Sequence, residues 1–202
     1  MADFPDEKEI RVMLLEKRQL FMQGETTGKM FDYIQDALFV LNHRSATEPI
    51  LLWIDSPGGQ TLPALSIFNL LKVSQAPVHG LVTYIAASGA SLVLQGCKLR
   101  CCLEHSRIHL HGVTYREMPL QMFLEEPQKF TEEGRRIQDF VFHVYEERTG
   151  KARAEIERLA KDEKPLFAPQ ALEFGLVDHI MKSREDFEQL LTASVEPPVP
   201  RT

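Results

Sequence analysis

A serine, Ser88, stands inside a run of six small residues, Ala-Ala-Ser-Gly-Ala-Ser at positions 86–91. The apolar run at 78–82 predicts a buried strand before it, and the apolar residues after it predict the start of a helix. A hydroxyl at a helix N-terminus lies near free N–H groups and the positive end of the helix dipole, which favour developing negative charge. Such a position suits a nucleophile. Tight packing of helix on sheet would also explain the small residues, without any chemistry.

A nucleophilic serine needs a base, and the base needs an orienting acid. His109 and His111 alternate with Ile108 and Leu110. If this segment is a strand, its period of two places both imidazoles on one face, so either is a candidate base. A carboxylate is available in Lys-Asp-Glu-Lys at 161–164, at the predicted end of a helix.

Two glycines are candidates for an oxyanion hole. Gly59 closes the segment Asp-Ser-Pro-Gly-Gly, and Gly89 follows the serine. Each can present a backbone N–H with no side chain in the way.

Two successive strand–turn–helix units position these groups. The first has a strand at 50–54, a tight turn at 55–59 and a helix at 61–72, and the second contains the strand at 78–82 and the helix after Ser88. This order predicts parallel strands with right-handed crossovers. Ligands of such sheets bind at the carboxyl ends of the strands, where both glycine turn and serine are expected.

The other elements follow from hydrophobic periodicity. We predict strands at 18–22, 98–103, 107–111 and 176–181, helices at 28–43, 130–149, 151–161 and 168–174, and a loop or arm at 112–122. Residues 1–13 are predicted to form a short N-terminal tail, 14–182 one domain, and 183–202 a C-terminal tail with a short helix and a disordered end.

Composition argues against several classes of function. The net charge of −6 and the pI of about 5.7 give no basic excess for nucleic acid or an anionic membrane. No apolar run approaches the roughly 20 residues of a membrane helix, and the acidic N-terminus does not resemble a signal peptide. Three clustered cysteines, Cys97, Cys101 and Cys102, do not form a disulfide framework and fit a reducing compartment, so we expect a cytoplasmic protein.

Four separated blocks resemble the Clp protease proteolytic subunit (ClpP) family in order and spacing. They are Asp-Ser-Pro-Gly-Gly at 55–59, Ala-Ala-Ser at 86–88, Ser-Arg-Ile-His-Leu-His at 106–111, and Phe-Ala-Pro-Gln-Ala-Leu-Glu-Phe-Gly-Leu-Val-Asp at 167–178. The resemblance covers roughly residues 14–181, and phage-type ClpP-like head-maturation proteases share the blocks more loosely. It implies an α/β fold of the ClpP/crotonase type, a spiral of ββα units with a protruding handle helix at about 130–149.

The resemblance also implies roles for particular residues. They are Ser88 as nucleophile, His111 as general base, Gly59 and Gly89 as oxyanion donors, and Glu163 as the acid, with Asp162 as the alternative acid. The chain departs from the family pattern beside the serine, with Tyr84-Ile85 in place of Gly-Gln and Gly89-Ala90 in place of Met-Gly. Gly112-Val113 replaces Gln-Pro after the histidine, and the N-terminus is short for the family's axial loop.

The activity implied is that of a serine endopeptidase without a cofactor. Such subunits assemble into heptameric rings and a double ring, a tetradecamer, with the active sites inside. An ATP-dependent AAA+ unfoldase feeds unfolded proteins into this barrel, where they are cut to peptides.

Three alternatives remain open from the sequence. The chain is compatible with a catalytically poor, structural ClpP-like subunit of a mixed ring, or with a crotonase-type acyl-CoA enzyme that shares the fold. A metal site among the cysteines and histidines of 97–111 is a third, although their spacing matches no common zinc pattern.

Overall fold

Strands and helices alternate along most of the chain in the computed structural model, which describes residues 6–112 and 127–192. The strands are β1 (Gln19–Thr26), β2 (Ile50–Gly59), β3 (Val78–Ala87), β4 (Leu99–Leu103), β5 (Arg107–His109), β6 (Leu166–Phe167) and β7 (His179–Met181). The helices are α1 (Glu7–Glu16), α2 (Gly28–Arg44), α3 (Thr61–Val73), α4 (Gly89–Gly96), α5 (Pro127–Thr149), α6 (Arg153–Asp162), α7 (Ala168–Phe174) and α8 (Arg184–Thr192).

The strands form one sheet whose main path runs β1-β2-β3-β4-β7, with every neighbour on this path parallel. Strand β3 is shared between two partners. Its first half pairs with β4 from His79 to Val82, and its last residues pair with β5 from Ile85 to Ala87. Strand β5 also pairs antiparallel with the short β6. The predicted parallel order is therefore confirmed, and the change of partner brings β5 to the end of β3.

The core lies on both faces of the sheet. The larger cluster includes the buried stripe of α2 and the buried residues of α3 and α4, and a smaller one on the other side holds Leu51, Leu81, Cys101 and Leu190. Cys102 belongs to the larger cluster, so the two adjacent cysteines face opposite sides, as strand alternation predicts. Burial on both faces explains why the start of β2 is a continuous apolar run.

Three strands are longer than predicted, and one of these extensions corrects an expectation. Gly58 and Gly59, predicted to form a turn, end strand β2 and pair with Glu25 and Thr26 after a shift in register. The two glycines have φ of 88° and 151°, values that side chains rarely allow, so the strand continues through a conformation that the residue types permit.

Other boundaries differ at the ends of elements. Helix α1 begins inside the predicted N-terminal tail, because Asp6 and Glu9 form a reciprocal capping box. Strand β5 ends at His109, two residues before the predicted end, and strand β6 has no counterpart in the prediction. Of the predicted arm at 112–122 only Gly112 is described, and residues 1–5 and 193–202 also lie outside the described residues.

The long helix predicted at 130–149 is α5, Pro127–Thr149. Its residues from 141 to 145 are mostly buried against the core, whereas most residues from 131 to 140 are exposed or half-buried. The C-terminal part of α5 is thus packed on the core, and the stretch before it is largely exposed, which is compatible with the expected handle helix. No helix among the described residues is long and apolar enough to cross a membrane.

Candidate active site

Ser88 occupies the junction between β3 and α4 in a strained backbone conformation, with φ of 52° and ψ of −124°. A non-glycine residue gains nothing locally from this geometry, which costs on the order of 1–3 kcal/mol. Its carbonyl accepts the first bond of α4, from Leu92 N–H at 3.2 Å, but its hydroxyl makes no capping bond. The strained turn presents a hydroxyl at a helix N-terminus, in the manner of a nucleophile on a strand–turn–helix elbow.

Glycine backbone surrounds this turn. A Cβ atom at Gly58 would lie 2.6 Å from Ala87 O, 2.7 Å from Ser88 Cβ and 2.9 Å from Gly89 N. A Cβ at Gly89 would lie 4.0 Å from Gly59 N, so the two predicted oxyanion donors come from neighbouring stretches of backbone. Ser56 Oγ accepts the N–H of Gly58 at 3.1 Å and fixes the strand end that carries them.

One candidate base is joined to the serine through the backbone, and the other lies beside the first. The pairing of Ala87 with His109 brings β5 alongside the end of β3, and Ser88 N–H donates to His109 O at 2.8 Å. The rings of His109 and His111 are 5.6 Å apart, while Ile108 and Leu110 are buried, which confirms that the two histidines share a face.

His111 has a defined orientation. Its Nδ1 lies 2.6 Å from the carbonyl oxygen of Gly112. Because a carbonyl oxygen can only accept, this contact requires the proton on Nδ1 and leaves Nε2 as the basic nitrogen. Among the described residues, no hydrogen bond joins Ser88 Oγ to either imidazole.

Glu163 lies beside His109. It follows the last residue of α6 in the left-handed conformation, with φ of 50°. The charge of its carboxylate and a hydrogen bond to its backbone both favour the protonated form of His109 and so act to raise the pKa of that ring. Within the described ranges, neither Glu163 nor Asp162 forms an ion pair with His111. Ser88, Gly59 and Gly89 thus lie together at the β3–α4 turn, the ring of His111 lies beside that of His109, and Glu163 acts on His109.

The electrostatics of the two histidines differ. Burial lowers the pKa of His109, and the neighbouring His111 lowers it further, although Glu163 opposes both effects. His109 Nε2 is buried and has no hydrogen-bond partner among the described residues. The lowered pKa favours the neutral form of His109.

The cysteines show no sign of reactivity or metal binding. All three are free and buried, and burial raises the pKa of Cys97 and of Cys102 to about 12. Within the described ranges, no group of three or more His, Cys, Asp or Glu residues is placed to hold a metal ion.

Sequence reasoning missed two features of this site. Gly58 contacts the serine turn more closely than Gly59 does, and the guanidinium of Arg107, two residues before His109, lies over the Tyr84 ring. The period-two spacing of Arg107 and His109 was a usable signal for the second feature. Nothing in the sequence distinguishes Gly58 from its neighbour.

The fold is a mostly parallel sheet packed against helices, with a strained serine at a strand–helix junction. This is the architecture that the sequence resemblance implies. Comparison with protein families gives a match to the family described as Clp protease over residues 5–184. The chain belongs to the Clp protease family. Its expected ClpP-type fold is thereby confirmed, and membership makes it a peptidase in the broad sense.

Proposed function

We propose that this protein is a serine endopeptidase in which Ser88 attacks the peptide carbonyl. The observation that carries the proposal is the backbone of Ser88, whose positive φ keeps an uncapped hydroxyl at the start of α4 beside two histidines. Strain of this kind persists where function requires it.

The proposed mechanism uses His111 as general base. With Nδ1 held by Gly112 O, His111 Nε2 accepts the serine proton and later gives it to the leaving amine. The N–H groups of Gly59 and Gly89 stabilise the oxyanion, and water hydrolyses the acyl-enzyme. Glu163, or Asp162 in the alternative assignment, supplies the negative charge that stabilises the imidazolium.

The test combines two readouts on the purified chain: labelling by a fluorophosphonate probe and hydrolysis of fluorogenic peptides. Ser88→Ala should abolish labelling, and His111→Gln should lower kcat/KM by about 10³-fold or more. Asp162→Asn and Glu163→Gln, compared as a matched pair, identify the acid as the residue with the larger loss. Peptidase activity within a few fold of the parent in Ser88→Ala would contradict the mechanism.

The assembly is also part of the proposal. Clp proteases generally form oligomeric rings with AAA+ partners, and we propose a heptameric ring, stacked into a tetradecamer through α5, that takes unfolded proteins from an ATP-dependent unfoldase. The exposed stretch of α5 supports this role. Native mass spectrometry gives the subunit number directly. A cytoplasmic location fits three free, buried cysteines.

A catalytically poor structural subunit is the second candidate, favoured by the absence of a Ser88–histidine hydrogen bond among the described residues. The two candidates differ in labelling. An assembled ring whose Ser88 does not react with the probe would be a structural ring, whereas labelling that disappears in Ser88→Ala supports the peptidase.

A further inference from the structure

Arg107 lies on the same face of β5 as the candidate base His109. It precedes His109 by two residues in β5, and strands rise about 3.3 Å per residue, so their Cα atoms are about 7 Å apart. Arg107 pairs with Ile85, three residues before Ser88. The backbone of Arg107 is therefore about three strand positions, roughly 10 Å, from the serine turn, a distance comparable to the length of a few peptide residues.

Among residues 6–112 and 127–192, the guanidinium of Arg107 has no anionic partner. Its Cζ lies 4.5 Å from the centroid of the Tyr84 ring, and it forms no ion pair or hydrogen bond within the described part of the chain. Arg100, in contrast, is bonded to Asp178, Gln95 and the backbone. A half-buried arginine without a carboxylate is unusual, because a partly desolvated charge favours a counter-ion.

Aromatic side chains frame this arginine. Tyr84 is 52% exposed, and Phe167, the antiparallel partner of Arg107 on β6, is 53% exposed. Directly opposed residues in an antiparallel pair project from the same face of the sheet. Stacking on an aromatic ring fixes the plane of a guanidinium and leaves its N–H edge free for a carboxylate.

We propose that Arg107, held by Tyr84, is a specificity-determining residue that binds a substrate carboxylate, the side chain of Asp or Glu near the cleaved bond. This inference rests on the proposed peptidase function. Two N–H groups of the fork bind the two carboxylate oxygens, and the aromatic rings pack on the adjoining peptide.

The experiment uses pairs of fluorogenic peptides that differ only in Glu or Gln at one position within three residues of the cleaved bond. All are C-terminally amidated, and one further peptide carries a free C-terminal carboxylate in place of the acidic side chain. At the best position the wild-type protein should favour Glu over Gln in kcat/KM by about tenfold, the range of a charge-assisted hydrogen bond. A preference confined to the free C-terminus would overturn the side-chain assignment.

The variants separate the contribution of the positive charge at position 107 from that of the planar guanidinium. Arg107→Gln should bring the Glu/Gln ratio close to one, and Arg107→Lys should give an intermediate ratio because lysine keeps the charge without the planar fork. Tyr84→Ala should lower the ratio and Tyr84→Phe should retain it. Arg184→Gln is the matched control, since Arg184 is 85% exposed and paired with Glu188 on α8, and it should leave the ratio unchanged.

Two results would overturn the inference while leaving the peptidase intact. The first is a wild-type Glu/Gln ratio of kcat/KM near one. The second is an equal fall in kcat/KM for both peptides in Arg107→Gln, which would indicate a role in folding or assembly. Cleavage of no peptide would refute the proposed function instead. Fluorescence anisotropy of labelled peptides on Ser88→Ala then decides the inference by binding alone. Preferential binding of the Glu peptide that Arg107→Gln removes supports it, and equal binding of both peptides refutes it.

Discussion

The backbone N–H of Ser88 donates to the carbonyl oxygen of His109, with an N···O distance of 2.8 Å. This bond joins the strained turn to β5, the strand that ends at His109, two residues before His111. The main chain of His109 is consequently fixed relative to the serine by sheet backbone, even though no side-chain hydrogen bond links Ser88 to either histidine among the described residues. Hydrogen bonds between catalytic side chains are often long in a free enzyme and shorten when substrate binds.

His109 should make stability depend on pH. Burial and His111 lower its pKa in the folded state, so between that value and the ordinary histidine pKa of about 6.5 the unfolded chain binds more protons. Stability therefore rises with pH through this window and is lost on acidification. His109→Gln should show a smaller fall in melting temperature between about pH 7.5 and 5.5 than the parent.

His43, which is exposed on α2, supplies the control, and His43→Gln should retain the parent's pH dependence. The interpretation would be wrong if His109→Gln lost as much melting temperature on acidification as the parent does.

The position after the serine should reject a side chain for a specific reason. A Cβ at Gly89 would lie 2.8 Å from the Cβ of Ala64, which is fully buried in α3. Gly89→Ala should therefore destabilise the protein by about 1–3 kcal/mol through overpacking. The double variant Gly89→Ala with Ala64→Gly should recover part of this loss in urea unfolding, because the clash is removed.

The decisive quantity is the coupling free energy between positions 89 and 64, that is, how much more stable the double variant is than the sum of the two single effects predicts. Simple addition of the two single effects would show that Ala64 is not what excludes a side chain from position 89.

Asp178 should be a stability determinant. Although burial opposes it, hydrogen bonds from Arg100 lower the pKa of Asp178, and both the guanidinium and the backbone N–H of Arg100 donate to its carboxylate. Asp178→Ala would leave Arg100, with a side chain 5% exposed, without its anion and should cost about 3–5 kcal/mol of unfolding free energy.

Glu7→Ala tests the same chemistry at the surface. Glu7 pairs with Arg11 across one turn of α1, the two side chains being 82% and 48% exposed, and its loss should cost less than about 1 kcal/mol. Similar costs for the two variants would contradict the assignment of Asp178.

A buried hydrogen bond joins α5 to the helix that follows the serine. Tyr145 O–H donates to Ser91 Oγ at 3.0 Å, and the side chains are 1% and 0% exposed. Ser91→Ala should cost about 1–3 kcal/mol because the phenol loses its partner in a dry site. Adding Tyr145→Phe should restore much of that loss in chemical denaturation, and a double variant that is no more stable than Ser91→Ala would refute the pairing.

The sequence predicted the elements that depend on local patterns. The apolar runs of β2 and β3, the stripe of α2 and the alternation at His109 and His111 all follow from periodicities that a few neighbouring residues define. Four spaced motifs pointed to the family, which the match over residues 5–184 establishes. The glycine turn and the C-terminal end of β5 were predicted less well, because a strand ends where its pairing with a neighbouring strand ends.

The sequence by itself determined which residue types are available, a serine among small residues, two alternating histidines and a carboxylate after a helix. Only the tertiary structure decided the strained φ of Ser88, the continuation of β2 through Gly58, the approach of Glu163 to His109, and the stacking of Arg107 on Tyr84. Each depends on strand register and on contacts between segments far apart in the chain. Local spacing carries no information about such contacts, since a shift of one residue in register would exchange the faces on which these side chains lie.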